Sequence, residues 1–193
     1  MFKQLYDWTI GLANSRRAPQ ALAAVSFAES SFFPVPPDVM LVPMTMARPE
    51  RAWQYAAICT LASVLGGIAG YLIGALLYDT LGAWLIRLYG YGDKMEAFRA
   101  LYQQHGHWII LIKGFTPIPF KLITIASGLA GYDFLMFVLL SAITRGARFF
   151  LVAGVMNRFG GPIRRFIEGN LTLVGIVTVV AIIGGFAAAK FFF

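Results

Sequence analysis

The sequence predicts an all-α integral membrane protein. It reads as two re-entrant, proline-broken hairpins and about three transmembrane helices in an inverted repeat, with amphipathic helices at the interface. Three observations predict this. Hydrophobic residues make up 59% of the 193 and charged residues 13%, with a mean hydropathy of +0.70, whereas a soluble domain carries about a quarter charged residues. Residues 52–78 hold no charge at all. A proline-x-proline knot also occurs twice: Phe32, Pro34, Pro36 and Asp38 align with Phe115, Pro117, Pro119 and Lys121 at a constant offset of 83.

Taken in order, Phe2, Leu5, Trp8 and Leu12 fall at helical spacing among polar neighbours, the pattern of a short helix lying in the interface. Asp7, Asn14, Arg16 and Arg17 interrupt any apolar stretch there, so no cleavable signal is expected. Pro19 suits a helix start. Residues 20–33 are apolar but shorter than the about 20 residues a span requires. The break at Pro34, Pro36 and Pro37 follows, then a second short run up to Arg48 and Arg51. Two half-length arms around a proline break form a re-entrant hairpin, centred on residues 28–43; the alternative is a single kinked span. Irregular backbone at that depth is tolerated only where protein or water covers it.

Residues 52–78 are the plainest span, with Gly66, Gly70 and Gly74 on one face at the spacing that lets another helix approach closely. Residues 79–105 are more polar and read as a surface segment of amphipathic helices broken at Gly90 and Gly92. The second hairpin motif covers residues 113–128 around Pro117 and Pro119, and in 127–131 a glycine permits a tight exit turn. Residues 134–156 and 171–189 supply the remaining spans, joined by a basic link with Arg158, Arg164 and Arg165. The whole chain, 1–193, reads as one membrane domain with its core in 20–160.

If each hairpin returns to its own side, Arg16, Arg17, Arg48, Arg51, Arg158, Arg164 and Arg165 share one face, the cytoplasmic one by the positive-inside rule. Arg87, Lys94 and Arg99 then lie opposite, mixed with Asp79, Asp93 and Glu96. The hairpins enter from opposite faces and meet near the middle.

Six charged residues sit in or beside apolar helix: Glu29 and Asp38 at the first knot, Lys113 and Lys121 at the second, and Arg145 and Arg148 in the following span. An ionised side chain at membrane centre costs about 2.5–3.5 kcal/mol on insertion scales. Six facing lipid would be prohibitive, so they face one another or water. Either acids pair with bases and lock the fold, or a polar cavity holds an anion on its bases and takes up protons on its acids. Arg and Lys both suit phosphate, Arg adding bidentate geometry. These six residues are the candidate substrate and proton pathway.

The acid before "FFPVPPD", the glycine run "GGIAGYLIG" and "GFTPIPFKLITIASGLAGY" resemble the DedA family of bacterial membrane proteins, relatives of the VTT-domain (SNARE-associated Golgi) proteins. The resemblance spans roughly residues 20–160. It implies translocation of lipids, polyprenyl phosphates and phospholipids among them, with dependence on the proton gradient, in the bacterial cytoplasmic (inner) membrane. Glu29 and Asp38 match the family's acidic positions, and Gly66, Gly67, Gly70, Tyr71 and Gly74 its glycine run. Lys113 and Lys121 stand where the commoner form has arginines, which is similar to the YqaA-like branch.

The expected function is therefore a transporter or scramblase for a phosphate-bearing lipid, with protons as a candidate coupling ion and oligomeric state left open. The alternative is a non-transporting, membrane-organising protein whose ion pairs are structural. Basic residues are dispersed, so no nucleic-acid partner is expected. His105 and His107 lack an acidic or cysteine partner for a metal, no P-loop is present, and Cys59 has no second cysteine. Neither a cofactor nor an enzymatic activity is expected.

Overall fold

The structure, a computed structural model, describes residues 15, 17–32, 36–77, 92–115 and 120–169. The expected interfacial helix at 2–14 and the expected last span at 171–189 lie outside them, as do Pro34, Pro117 and Pro119. The described residues form α1 (Ala18–Ser31), α2 (Asp38–Ala47), a 3₁₀ turn (Pro49–Arg51), α3 (Ala52–Leu77), α4 (Gly92–Phe115), α5 (Phe120–Ala130) and α6 (Phe134–Gly169). No strand occurs among them. The first proline knot coincides with a helix interruption, α1 ending at Ser31 and α2 beginning at Asp38; the second knot lies outside the described residues, between Phe115 of α4 and Phe120 of α5. Pro37 sits immediately before α2 with φ −65°, the geometry its ring imposes.

Among the described residues, two stretches are long and apolar enough to cross a membrane, Pro49–Leu77 and Phe134–Pro162. Their outward faces carry Leu61, Leu65, Leu72 and Leu76, and Leu135, Leu139, Ile143 and Leu151, all exposed.

Two elements differ from expectation. Within the expected surface segment, residues 92–105 are continuous with the apolar arm that follows, as the single helix α4. The reason is a stripe every four residues: Phe98, Tyr102, Gly106, Ile110 and Gly114 face inward, the last four buried, so no break in the buried face separates the two parts. The second difference is α6, which runs through Gly160, Gly161 and Pro162 to Gly169 instead of ending near 156.

The glycines of α3 seat both interrupted segments. A Cβ on Gly66 would overlap the Phe27 carbonyl of α1, one on Gly70 the Thr124 hydroxyl of α5, and one on Gly74 the Ile125 carbonyl. Gly128 of α5 lies as closely against the Tyr71 carbonyl. The turn from α5 to α6 is closed by Gly131 at φ +64°, with Gly131 N–H donating to Gly128 O and Tyr132 N–H to Ser127 O, both at 3.0 Å. That pair of bonds is a Schellman motif, which needs the left-handed residue that glycine supplies. Asp133 then caps α6, its Oδ1 accepting from Met136 N–H at 2.7 Å.

The apolar core is divided. One cluster joins Leu22, Leu41, Tyr55, Cys59, Phe149 and Ala153; the other joins Tyr102, Ile110, Phe120, Ile123, Phe137 and Leu140. Along α6 the first cluster takes positions 149 and 153 and the second 137 and 140. The stretch between carries buried Ser141, Thr144 and Arg145.

Candidate functional site

The polar layer between the two clusters is where the predicted charges meet. Glu29 lies in the last turn of α1, whose final residues Glu29, Ser30 and Ser31 are all buried. Arg145 and Arg148 lie on α6 and Ser63 on α3, each within a stretch long and apolar enough to cross a membrane.

Arg145 Nη2 donates to Glu29 Oε2 at 2.6 Å, and Arg145 Nε donates to Ser63 Oγ at 2.7 Å. Ser30 Oγ lies 2.6 Å from Ser63 Oγ and 3.1 Å from Glu29 Oε2. An ionised carboxylate only accepts, and Arg only donates. The Ser30 proton therefore goes to Glu29, and the Ser63 proton to Ser30. The result is a closed ring of hydrogen bonds running Arg145, Ser63, Ser30, Glu29 and back to Arg145. The phenyl rings of Phe120 and Phe149 flank the guanidinium, their centroids 4.8 and 4.7 Å from Cζ, an attraction that strengthens where water is excluded.

A second pair stands three residues on. Arg148 Nη2 donates to Asp38 Oδ2 at 2.6 Å. Asp38 opens α2 on the far side of the first proline break, so the two acids of one interrupted segment meet two bases on adjacent turns of one helix. The pairs differ in access. Side-chain exposure is 1% for Arg145 and 11% for Glu29, but 27% for Arg148 and 26% for Asp38.

The lysines of the second knot are placed otherwise. Lys121 Nζ reaches the Phe32 carbonyl at 3.4 Å in an exposed position, a weak tie between the broken end of α1 and the start of α5. The Lys113 side chain lies outside the described ones. Among the described residues, the basic partners of Glu29 and Asp38 thus come from α6. Thr124 Oγ1 strengthens the same junction by donating to Ser30 O at 3.1 Å.

Sequence reasoning missed four residues around Arg145, among them Ser30 beside Glu29. Ser63 had a signal, a hydroxyl at the middle of a charge-free apolar helix. Phe120 and Phe149 had none, since in a chain with 17 phenylalanines nothing marks the two that stack on a buried cation.

Comparison with known proteins decides the family. Residues 35–158 match the VTT domain, which takes in α2 through most of α6. The chain belongs to the VTT-domain (DedA) family. An uncharacterised protein of Haemophilus influenzae is 36% identical over 185 residues, covering 94% of this chain and 96% of its own length. A further uncharacterised protein, of Histophilus somni, is 36% identical over 184 residues, covering 93% and 96%. No solved structure matches significantly. This VTT protein is a membrane protein, in keeping with its family and its two long apolar helices. The match begins at residue 35, so it includes Asp38, Ser63, Arg145 and Arg148 and leaves Glu29 just outside.

Proposed function

We propose that this VTT protein moves a phosphate-bearing anionic lipid, of the phospholipid or polyprenyl-phosphate kind, between the leaflets of the bacterial cytoplasmic membrane. It acts as a transporter or scramblase, with proton uptake by a carboxylate of the polar layer as the coupling. The observation that carries the proposal is the position of the ion pairs. Two arginines within a membrane-length apolar helix each meet a carboxylate, in a setting where charge is costly and is kept for ion or substrate pathways.

The arrangement of the arms supports a re-entrant, inverted repeat within a single membrane domain. In each half the arm after the proline break packs on the long helix of the other half: α2 against α6, and α5 against α3. Interrupted helices in matching positions of two halves are the usual makers of a midplane site. A second reading, a membrane-organising protein without transport, is favoured by one observation: the ring around Arg145 is closed and buried.

Leaflet exchange in vesicles separates the two. Purified protein in phosphatidylcholine vesicles is supplied with fluorescent phosphatidic acid or fluorescent phosphatidylcholine, with and without a pH gradient. Transport predicts faster exchange of phosphatidic acid than in protein-free vesicles, and a response to the gradient. Rates equal to those of protein-free vesicles for both lipids would leave the organising role.

A further inference from the structure

The two ion pairs are chemically unlike, and the difference assigns them different work. The Arg145 pair belongs to a closed ring. Nε and Nη2 of the guanidinium have partners, Glu29 Oε2 accepts twice, and both serine hydroxyls donate and accept within the ring. Two phenyl rings flank the guanidinium. An arriving anion would have to break the ring, displace Phe120 or Phe149, and leave Glu29 as an uncompensated buried charge, the most expensive outcome for a buried pair.

The Arg148 pair is incomplete. One bond joins Nη2 to Asp38 Oδ2, while Asp38 Oδ1 is buried with no hydrogen-bond partner among the described residues. Buried acceptors are ordinarily satisfied, so this carboxylate is the less settled of the two acids. About a quarter of each side chain is open to the outside of the helix bundle. A guanidinium freed from Asp38 presents a fork of donors that matches two phosphate oxygens. Arg148 also lies within a stretch long and apolar enough to cross a membrane, where a headgroup moving between leaflets would meet it.

We infer that Arg148 is the anion-binding residue and Asp38 its built-in competitor, occupying the guanidinium until a phosphate takes its place. The Arg145–Ser63–Ser30–Glu29 ring is the fixed part, holding the broken end of α1 against α3 and α6 and never meeting the cargo. This rests on the transport reading above and goes further by naming the base that meets the phosphate and the acid that yields. The exchange is a substitution of one oxyanion for another at the same cation, with no bond made or broken.

The test is binding of phosphatidic acid by purified protein in phosphatidylcholine nanodiscs, in parallel with binding of inorganic phosphate, alongside thermal unfolding of each variant. Asp38→Asn removes the competitor and should tighten phosphatidic acid binding about five-fold, the range of a partly exposed pair. Arg148→Gln should abolish binding. Should that variant unfold, Asp38→Asn with Arg148→Gln removes both charges, leaves neither uncompensated, and should fold without binding. Ser63→Ala and Glu29→Gln should lower the unfolding temperature without reproducing the tightening. Stronger binding of phosphatidic acid than of inorganic phosphate marks a lipid headgroup and the reverse order a free phosphate; either supports the exchange. Unchanged affinity in Asp38→Asn, or equal tightening in Glu29→Gln, overturns it while leaving transport standing. No binding of either probe by the unaltered protein overturns both.

Discussion

Arg145 keeps its charge inside the bundle because a carboxylate, a hydroxyl and two aromatic rings surround it. Glu29 neutralises it, Ser63 takes the Nε proton, and Phe120 and Phe149 supply the negative faces of their rings. Removing one partner of such a pair leaves the other desolvated and alone, at about 3–5 kcal/mol. Glu29→Gln and Arg145→Gln should each lower stability by an amount of that order. The double variant should lose much less than the sum, because no unpaired charge remains; chemical unfolding in detergent across the double-mutant cycle measures the coupling. Ser63→Ala keeps the ion pair and opens the ring, so a smaller loss of about 1–3 kcal/mol is expected. Additive losses in the cycle would mean that the ring does not act as a unit.

At the scale of elements, α3 works as a rail on which the interrupted helices sit. Its periodic glycines were legible in the sequence as a packing face, and the structure supplies the occupants: α1 at Gly66, and α5 at Gly70 and Gly74. Gly66→Ala and Gly74→Ala drive a methyl group into backbone carbonyls, which cannot turn aside as a side-chain end can. Overpacking of this kind costs about 1–3 kcal/mol. Gly67→Ala is the internal control. Its nearest neighbours stand at 3.5 Å, ordinary contact, so the gain in helix propensity over glycine should leave stability equal or slightly higher. Thermal unfolding of the three variants tests the order; a Gly67→Ala protein as unstable as Gly66→Ala would contradict it. The interruption at the first proline knot was equally legible, since proline lacks the donor and the space that a helix requires. The continuity of α4 was not, because its surface part looks polar until its stripe at every fourth residue is matched to the packing of Tyr102 and Ile110.

For the whole molecule, the proposed re-entrant topology makes a prediction that no local contact can. If α1 and α2 form a hairpin that returns to its own side, Arg17→Cys and Arg51→Cys, each in a Cys59→Ser background, should react with an impermeant thiol reagent from the same face of an oriented membrane. Their positions flank the segment at residues 17 and 51, and both are exposed. Labelling from opposite faces would make that segment a crossing and would remove the inverted repeat. The cross-packing of α2 on α6 and of α5 on α3 would then need another origin.

The sequence by itself determined the membrane class, the helical content, the first break point, the close-packing face of α3 and the charged residues that had to be sheltered. Each of these depends on local chemistry: hydropathy over a span's length, the missing proline donor, the absent glycine side chain, the penalty for charge in lipid. Only the tertiary structure decided which acid meets which base. Glu29 and Arg145 are 116 positions apart and Asp38 and Arg148 are 110, and such pairing follows from how helices are seated on one another. A quarter-turn of α6 about its axis would carry its arginines away from both acids without altering any pattern in the sequence. The unequal access of the two pairs has the same origin. The end of α1 is buried in the groove formed by α3, α5 and α6, whereas Asp38 opens α2, where the chain has just left that groove and its partner stands at the edge.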